Sequence, residues 1–319
     1  MTNIKDLARM AGVSVTTVSR VLNHHPYVKE EKRQAVLEAI RVSNYHKNIN
    51  AVHLSKGKTQ LMGVVIPVSD HPYFAQLLKG IAKQALEHNY KLVLFQTDFK
   101  ESREMEALEM LKLKQIDSLI ICSRACDLSM IENHLPFGTI VLGENMNGKK
   151  ISSTSVNHYK IFTDALEYLY QKGHKRIGYC IGRRWSTNSQ NRERAYRDFL
   201  EKYNLPDIPE YIMDQCLYFE HGEKVIRQIK KMDVPPTALL VTSDQVAAGI
   251  VICCQREQIA IPNDLAIIGF DNEPIAKMMD ITTIEVPLEE MGKNLFLQAI
   301  KEEISHKELS VRFIERGTV

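Results

Sequence analysis

From Leu61 to the C-terminus the chain alternates short apolar runs with longer amphipathic stretches, and that alternation admits few folds. LMGVVIP, KLVLFQT, SLIICS and TIVLG read as buried strands, as do RIGYCI, TALLVTS and LAIIGF further on. Helical patterns at 74–89, 101–115, a long one ending at Gly173, then 191–203, 222–232 and 245–258 lie among them. Parallel strands need crossover connections, and crossover helices cover both sheet faces, so such strands are continuously apolar. Two sets of comparable length predict two similar lobes, each a doubly wound parallel sheet. No G-x-G-x-x-G follows a strand, so a dinucleotide fold is unsupported, and the GKT at 57–59 lacks the first glycine of a phosphate loop because residue 52 is valine.

Ligands of open parallel sheets bind beyond the carboxyl ends of the strands. Here those ends carry His71, Tyr73 and Phe74, then Arg192, then Ser243, Asp244 and Gln245, then Asp271 and Asn272. Aromatic faces with an arginine and carboxylates suit a polyhydroxylated ligand, whose C–H side packs on rings while its hydroxyls take charged hydrogen bonds. Each residue has a second reading: Ser243 or Asp244 as the cap of the next helix, Tyr73 and Phe74 as core, Asp271 as a turn cap, Arg192 as a helix exterior beside Glu193. No Ser/His/Asp or paired-carboxylate arrangement assembles, so catalytic residues are expected to be none, and no enzyme activity is expected.

The first 60 residues are different. Asn3 precedes IKDLARMA with Asp6 three positions later, an N-cap with a carboxylate in the first turn. Ile4, Leu7, Ala8 and Ala11 make one apolar face, and Gly12 ends the helix. Ser14 caps a second helix, VTTVSRVLN, with Val18, Val21 and Leu22 inward. A third begins near Glu30, with Ala35, Val36, Ala39 and Ile40 inward. Two short helices joined at a glycine with a third behind form a helix-turn-helix, whose second helix lies in the DNA major groove. Thr16 and Arg20 are one turn apart on its outer face. Arg20 offers a guanine two hydrogen bonds and Val15 offers a thymine methyl an apolar contact; the other reading of Arg20 is a solvated surface charge.

Charge agrees with that division. Residues 1–60 hold ten Lys/Arg against four Asp/Glu, a net of +6, while the remainder holds 31 against 35, a net of −4. No run of about 18 apolar residues occurs, and the charged start MTNIKDLARM is no secretory signal, so a cytoplasmic, nucleoid-associated protein without a membrane partner is expected. The six cysteines show neither C-x-x-C spacing nor a framework and read as reduced, packed thiols; no metal and no cofactor is expected.

The string NIKDLARMAGVSVTTVSRVLN, continued by YVKEEKRQAVLEAI and Tyr45, closely resembles the head of the lactose-repressor/galactose-repressor family. The likeness runs on through HPYF, GHKRIGY, TSDQVAAGI, IPNDLAIIGFDN and the terminal ERGT. It implies a periplasmic-binding-protein-like body behind a small all-α head, in three parts: a DNA-binding domain at 1–45, a hinge at 46–60 and a two-lobed effector-binding and dimerisation domain at 61–319. It implies that Val15, Thr16 and Arg20 read bases while Asn3, Ser14, Thr17, Ser19 and Asn23 lie near phosphates. In the hinge, YHKNINAVHL keeps Ala51 and Leu54 of the family pattern, the leucine being the minor-groove wedge, with packing against the body as its alternative. Lys47 and Val52 replace the usual proline and arginine. For the body the resemblance implies effector contacts from Tyr73, Phe74, Arg192, Phe219 and Asp271, with Asn188, Ser243 and Asn157 besides, the last where aspartate is usual.

The expectation is therefore a homodimeric repressor of carbohydrate-related genes, acting on near-palindromic double-stranded operator DNA under a sugar or sugar-phosphate effector. A sugar-binding protein without operator function, or a sugar-modifying enzyme with a DNA-like head, is the alternative. Tetramers in the family need an added C-terminal segment, which ERGTV does not supply.

Overall fold

The computed structural model describes residues 3–46 and 57–319, and the chain divides into two units, Met1–Thr59 and Gln60–Val319. The hinge positions Lys47, Ala51, Val52 and Leu54 lie outside the described residues.

The head is three helices, α1 (Ile4–Met10), α2 (Val15–Leu22) and α3 (Glu30–Ser43). The start of α1 is a complete capping box. The Asn3 side-chain oxygen accepts from the N–H groups of Lys5 (2.8 Å) and Asp6 (3.1 Å), and the Asp6 carboxylate accepts from the Asn3 N–H (3.1 Å). Gly12, at φ +64°, turns the chain toward α2, where the Ser14 hydroxyl accepts from the Thr17 N–H at 3.2 Å. Leu7, Ala8, Val18, Val21, Val36 and Ala39 form the buried centre, with Ile4, Ala11, Leu22, Ile40 and Tyr45 packed around it.

The body contains two six-stranded sheets. The first has the order β11-β5-β4-β3-β1-β2, from β1 (Leu61–Ile66), β2 (Lys91–Gln96), β3 (Ser118–Ile121), β4 (Thr139–Leu142), β5 (Ser152–Val156) and β11 (His306–Leu309). All its pairings are parallel. The second has the order β12-β10-β9-β8-β6-β7, from β6 (Ile177–Cys180), β7 (Ile212–Met213), β8 (Ala238–Val241), β9 (Ala266–Phe270), β10 (Thr282–Glu285) and β12 (Arg312–Ile314). It is parallel except for β12 against β10. The seven apolar runs of the sequence are β1, β2, β3, β4, β6, β8 and β9; the sheets are wider than those runs alone indicated.

Seven helices of more than two turns connect these strands, α4 (Pro72–Glu87), α5 (Glu101–Lys112), α7 (His158–Gln171), α8 (Thr187–Lys202), α9 (His221–Ile229), α10 (Asp244–Arg256) and α12 (Leu288–Ala299), with the short α6 (Leu128–Glu132) before β4 and the short α11 (Pro274–Met278) before β10. Helix α8 starts four residues before the apolar pattern does, because Ser186 caps it through the Ser189 N–H at 3.1 Å. The chain crosses between lobes three times. It leaves the first sheet after β5, returns after β10 to place α12 and β11 against it, and crosses again to lay β12 on the second sheet. Helix α12 packs directly on α4, and the approach is backbone to backbone: a Cβ at Gly80 would run into the Glu289 carbonyl oxygen, and one at Gly292 into that of Leu77. Only glycine permits that spacing.

Candidate functional site

On the head, Val15, Thr16, Arg20 and Asn23 are exposed, and Thr17 and Ser19 are half-buried, while Val18 and Val21 on the opposite side of α2 are buried. The 3.6-residue repeat alone produces this split. Arg20 has no carboxylate within ion-pair distance among the described residues, so its guanidinium is available to an external acceptor. Asn3 and Ser14 hold helix starts and stand exposed there, beside the N–H groups that a phosphate would address.

In the body, the segments that follow each of β1 to β9 converge on one cleft of about 360 Å³. It lies at the carboxyl ends of both sheets, as the parallel topology requires. Tyr73, Phe74, Asn188, Arg192, Ser243 and Asp271 line it, so six of the eight expected positions come together. Asn157 and Phe219 do not. Asn157 caps α7, its side-chain oxygen accepting from the Lys160 N–H at 3.0 Å. Phe219 is 42% exposed, and its carbonyl is pressed against Gly249 of α10, where a Cβ would collide with it. From that loop Cys216 and Leu217 line the cleft instead. Phe99, Arg124, Glu144, His158, Arg183 and Trp185 line it as well. His158 and Trp185 carried no periodic signal; both sit in the first turn or the approach of a helix, where side chains reach back toward the strand ends.

The floor of the cleft is electrostatically tense. Arg192 donates from Nη2 to Nδ1 of His158 at 3.1 Å and lies over the Phe270 ring, 5.4 Å from its centroid. Burial, then the Arg192 charge, hold the His158 pKa well below the usual imidazole range, so its ring is neutral and accepts. Burial also lowers the Arg192 pKa, opposed by Asp271. Burial raises the Asp271 pKa well above its ordinary value, reinforced by Asp244 and Glu273 and opposed by Arg192. Asp271 and Asn272 have φ of +92° and +52°, backbone that non-glycine residues adopt at a cost. They are held there by the Asp271 N–H on the Ile284 carbonyl (2.8 Å) and by Asn272 between Glu285 (3.0 Å) and Arg316 (2.7 Å). Ser243 is only 3% exposed and its hydroxyl has no partner among the described residues; it makes no cap. The Arg192 Nε is likewise buried and unpartnered. Two orphaned polar atoms beside aromatic rings mark a site for a hydrogen-bonding ligand.

Asp244 stands behind this floor. It accepts from the Thr283 hydroxyl (2.7 Å) and the Glu273 N–H (2.8 Å), tying α10 to β10 and to the loop that carries Asp271. Burial pushes its pKa up to about 7. At the seam, His71 Nε2 donates to the Leu217 carbonyl (3.2 Å), and Tyr218 donates to Asp70 (3.0 Å). Arg124 donates to Glu144 (2.7 Å) within its own lobe and to Thr187 (3.3 Å) across it. These bonds join the two lobes around the cleft.

Comparison with known proteins agrees with this architecture. Residues 3–48 match the family described as bacterial regulatory proteins, lacI family, and residues 166–319 match the periplasmic binding protein-like domain. The chain is 40% identical over 324 aligned residues to an uncharacterized HTH-type transcriptional regulator of Bacillus subtilis, YkvZ, covering all of both chains. It is 36% identical over 321 residues to the NTD biosynthesis operon regulator NtdR of the same species, covering all of this chain and 98% of that one. A solved LacI family transcriptional regulator from Lactobacillus casei with bound glucose shares the body fold, with a TM-score of 0.74 and 24% identity over 81% of this chain and 99% of that one. Head, body and full-length likeness converge, and the chain belongs to the lacI family of bacterial DNA-binding transcription regulators.

Proposed function

We propose that the protein is a repressor of carbohydrate-related genes. It binds a near-palindromic operator as a homodimer, through Val15, Thr16 and Arg20 on bases and Asn3, Ser14, Thr17, Ser19 and Asn23 near phosphates. A sugar effector enters the cleft between the lobes and meets Tyr73, Phe74, Asn188, Arg192, Ser243 and Asp271. One observation carries the effector reading: the buried, unpartnered Ser243 hydroxyl and Arg192 Nε face a cleft walled by Tyr73 and Phe74. Aromatic faces beside unsatisfied donors are what a ring of hydroxyls completes. The Lactobacillus casei regulator of the same fold is described with glucose and with sucrose bound, which supports the class.

The mechanism follows from the seam. An effector contacting both lobes changes the balance between their relative positions only by its difference in affinity for them. In a dimer that change bears on the spacing of the two heads, and twofold protein symmetry then selects twofold DNA symmetry. A second copy as partner is supported by apolar side chains left exposed on the body, Leu94 on the edge strand β2 and Met278 at the end of α11. The segment 46–60 serves as the hinge, with Ala51 and Leu54 as its DNA contacts. Cytoplasmic location is part of this reading; no helix of the described residues is long and apolar enough to cross a membrane.

The deciding experiment is binding of the full chain to DNA from its own promoter region at several salt concentrations, with and without sugars. Specific retention with a steep negative salt slope, relieved or strengthened by a sugar, is the expected result. Retention that no sugar alters removes the effector reading; no retention removes the operator reading.

A further inference from the structure

Within the same cleft, Arg192 is not alone in lacking an ion-pair partner among the described residues. Arg183, on the loop after β6, is half-buried and lines the cleft. It lies over the Phe99 ring, 4.5 Å from the centroid, and donates to the Ser123 hydroxyl at 3.1 Å and to the Arg124 carbonyl at 3.4 Å. Among the described residues no carboxylate comes within 4 Å of it. The nearby acids are already committed: Glu144 pairs with Arg124 at 2.7 Å, and Glu104 accepts from the N–H groups of Ala125 and Cys126 at 2.6 and 3.3 Å. Asp127 also lines the cleft, but it is exposed and solvated. The result is a half-buried guanidinium whose hydrogen-bond acceptors are all neutral.

Four residues on, helix α8 begins, and its first turn lines the same cleft. Its cap, Ser186, satisfies the Ser189 N–H, while the N–H groups of Thr187 and Asn188 have no acceptor among the described residues. Sixteen aligned peptides put the positive end of the helix dipole at that point. A guanidinium fork and two free N–H groups converging on a half-enclosed space make a site for an anion. The unpartnered, 3%-exposed Ser243 hydroxyl in the same cleft points independently to a hydrogen-bonding ligand there.

We propose that the effector is an anionic sugar, whose phosphoryl or carboxylate group is held by the Arg183 guanidinium and the Thr187 and Asn188 N–H groups while its ring lies toward Tyr73 and Arg192. This rests on the effector reading above and narrows it to a charged class. Arg183 belongs to the second lobe and its present acceptors, Ser123 and Arg124, to the first. An anion there sits on the seam, where its binding energy bears on lobe position.

Trp185 makes the test direct. It is the sole tryptophan of the sequence, lines the cleft two residues from Arg183, and is 78% exposed, so emission excited at the red edge, where tyrosine does not absorb, reports on this place alone. The full chain is titrated with inorganic phosphate, and with glucose, glucose 6-phosphate and glucuronate and the corresponding sets for fructose, mannose and galactose. The expected result is a saturable emission change with inorganic phosphate, and at least one anionic sugar binding about tenfold or more tighter than its neutral parent. Phosphate esters and uronic acids separate the two anion types. Arg183→Gln should bring the anionic sugar down to the affinity of its parent and erase the phosphate response, and Arg183→Lys should restore part of both. Neutral sugars binding as tightly as their charged forms, or Arg183→Gln binding anions as wild type does, overturns the anion site and leaves the effector reading standing. An emission that no sugar of either kind alters overturns both.

Discussion

Arg192 Nη2 and His158 Nδ1 lie 3.1 Å apart at the floor of the cleft, a charged donor resting on a neutral imidazole. The pair fixes which way the histidine must ionise. Its folded pKa is depressed by burial and by Arg192, so below the unfolded value of about 6.5 the unfolded chain binds a proton that the folded chain refuses. Stability attributable to His158 is therefore lost as pH falls, at about 1.4 kcal/mol per unit below roughly pH 6.5. Urea melts of wild type and His158→Gln at pH 5.5, 6.5 and 7.5 should show that gap closing toward acid. Parallel pH profiles for the two proteins would remove His158 from the account.

Asp244 carries the opposite sign. Its folded pKa, about 7, lies above the unfolded value, so the folded state holds the proton longer. Stability from this group is full in acid and is lost as pH rises from roughly 4 toward 7. Asp244→Asn should abolish that slope. Urea melts between pH 4 and 8 read this directly, because the amide mimics the protonated acid, its oxygen accepting from the Glu273 N–H and its NH2 donating to the Thr283 hydroxyl oxygen; a slope that persists in Asp244→Asn would remove this group from the account.

At Asp271, backbone and side chain can be separated. Asp271→Ala keeps the φ of +92° and removes the carboxylate; Asp271→Gly removes both the carboxylate and the steric cost. Effector response should vanish in both while operator binding persists. The glycine variant should be the more stable by about 1 kcal/mol. A surviving response in either would place the effector elsewhere.

Arg20→Ala should cost about 1–3 kcal/mol of discrimination between operator and random DNA. An equal loss on both sequences in a competition assay would make Arg20 a phosphate contact.

Gly80→Ala drives a methyl into the Glu289 carbonyl and must separate α4 from α12. Loss of about 2 kcal/mol or more in chemical denaturation is expected, with Gly292→Ala similar and the double variant costing less than their sum, since the first displacement makes room for the second.

The parts of the molecule that were legible in the sequence are those fixed by local rules. The Asn3 and Ser14 caps, the Gly12 turn and the apolar face of α2 depend on neighbours within four residues. The strands β1, β3, β4, β6, β8 and β9 announce themselves by being apolar on both faces. Strand β5 does not: SSTSV is polar yet wholly buried. Its hydroxyls are satisfied from far along the chain, Thr154 by Gln298 (2.9 Å) and Ser153 by His306 (3.1 Å), and no local pattern encodes such partners. The cleft divides the same way. Tyr73, Arg192 and Asp271 follow strands whose ends are visible, whereas the choice of Leu217 over Phe219 is made by Gly249, thirty residues later, which seats the Phe219 carbonyl and turns its ring outward.

The triple crossing between lobes has a consequence for how the body can be cut or inherited. Neither lobe is one continuous stretch of chain: the first needs α12 and β11, and the second needs β12, all encoded after residue 287. A chain still emerging from the ribosome cannot complete the two sheets until residues 306–314 are made. A stop codon shortly before them removes an outer strand from both sheets at once, so truncation there disables the whole body, and the two halves can be exchanged between relatives only as a pair.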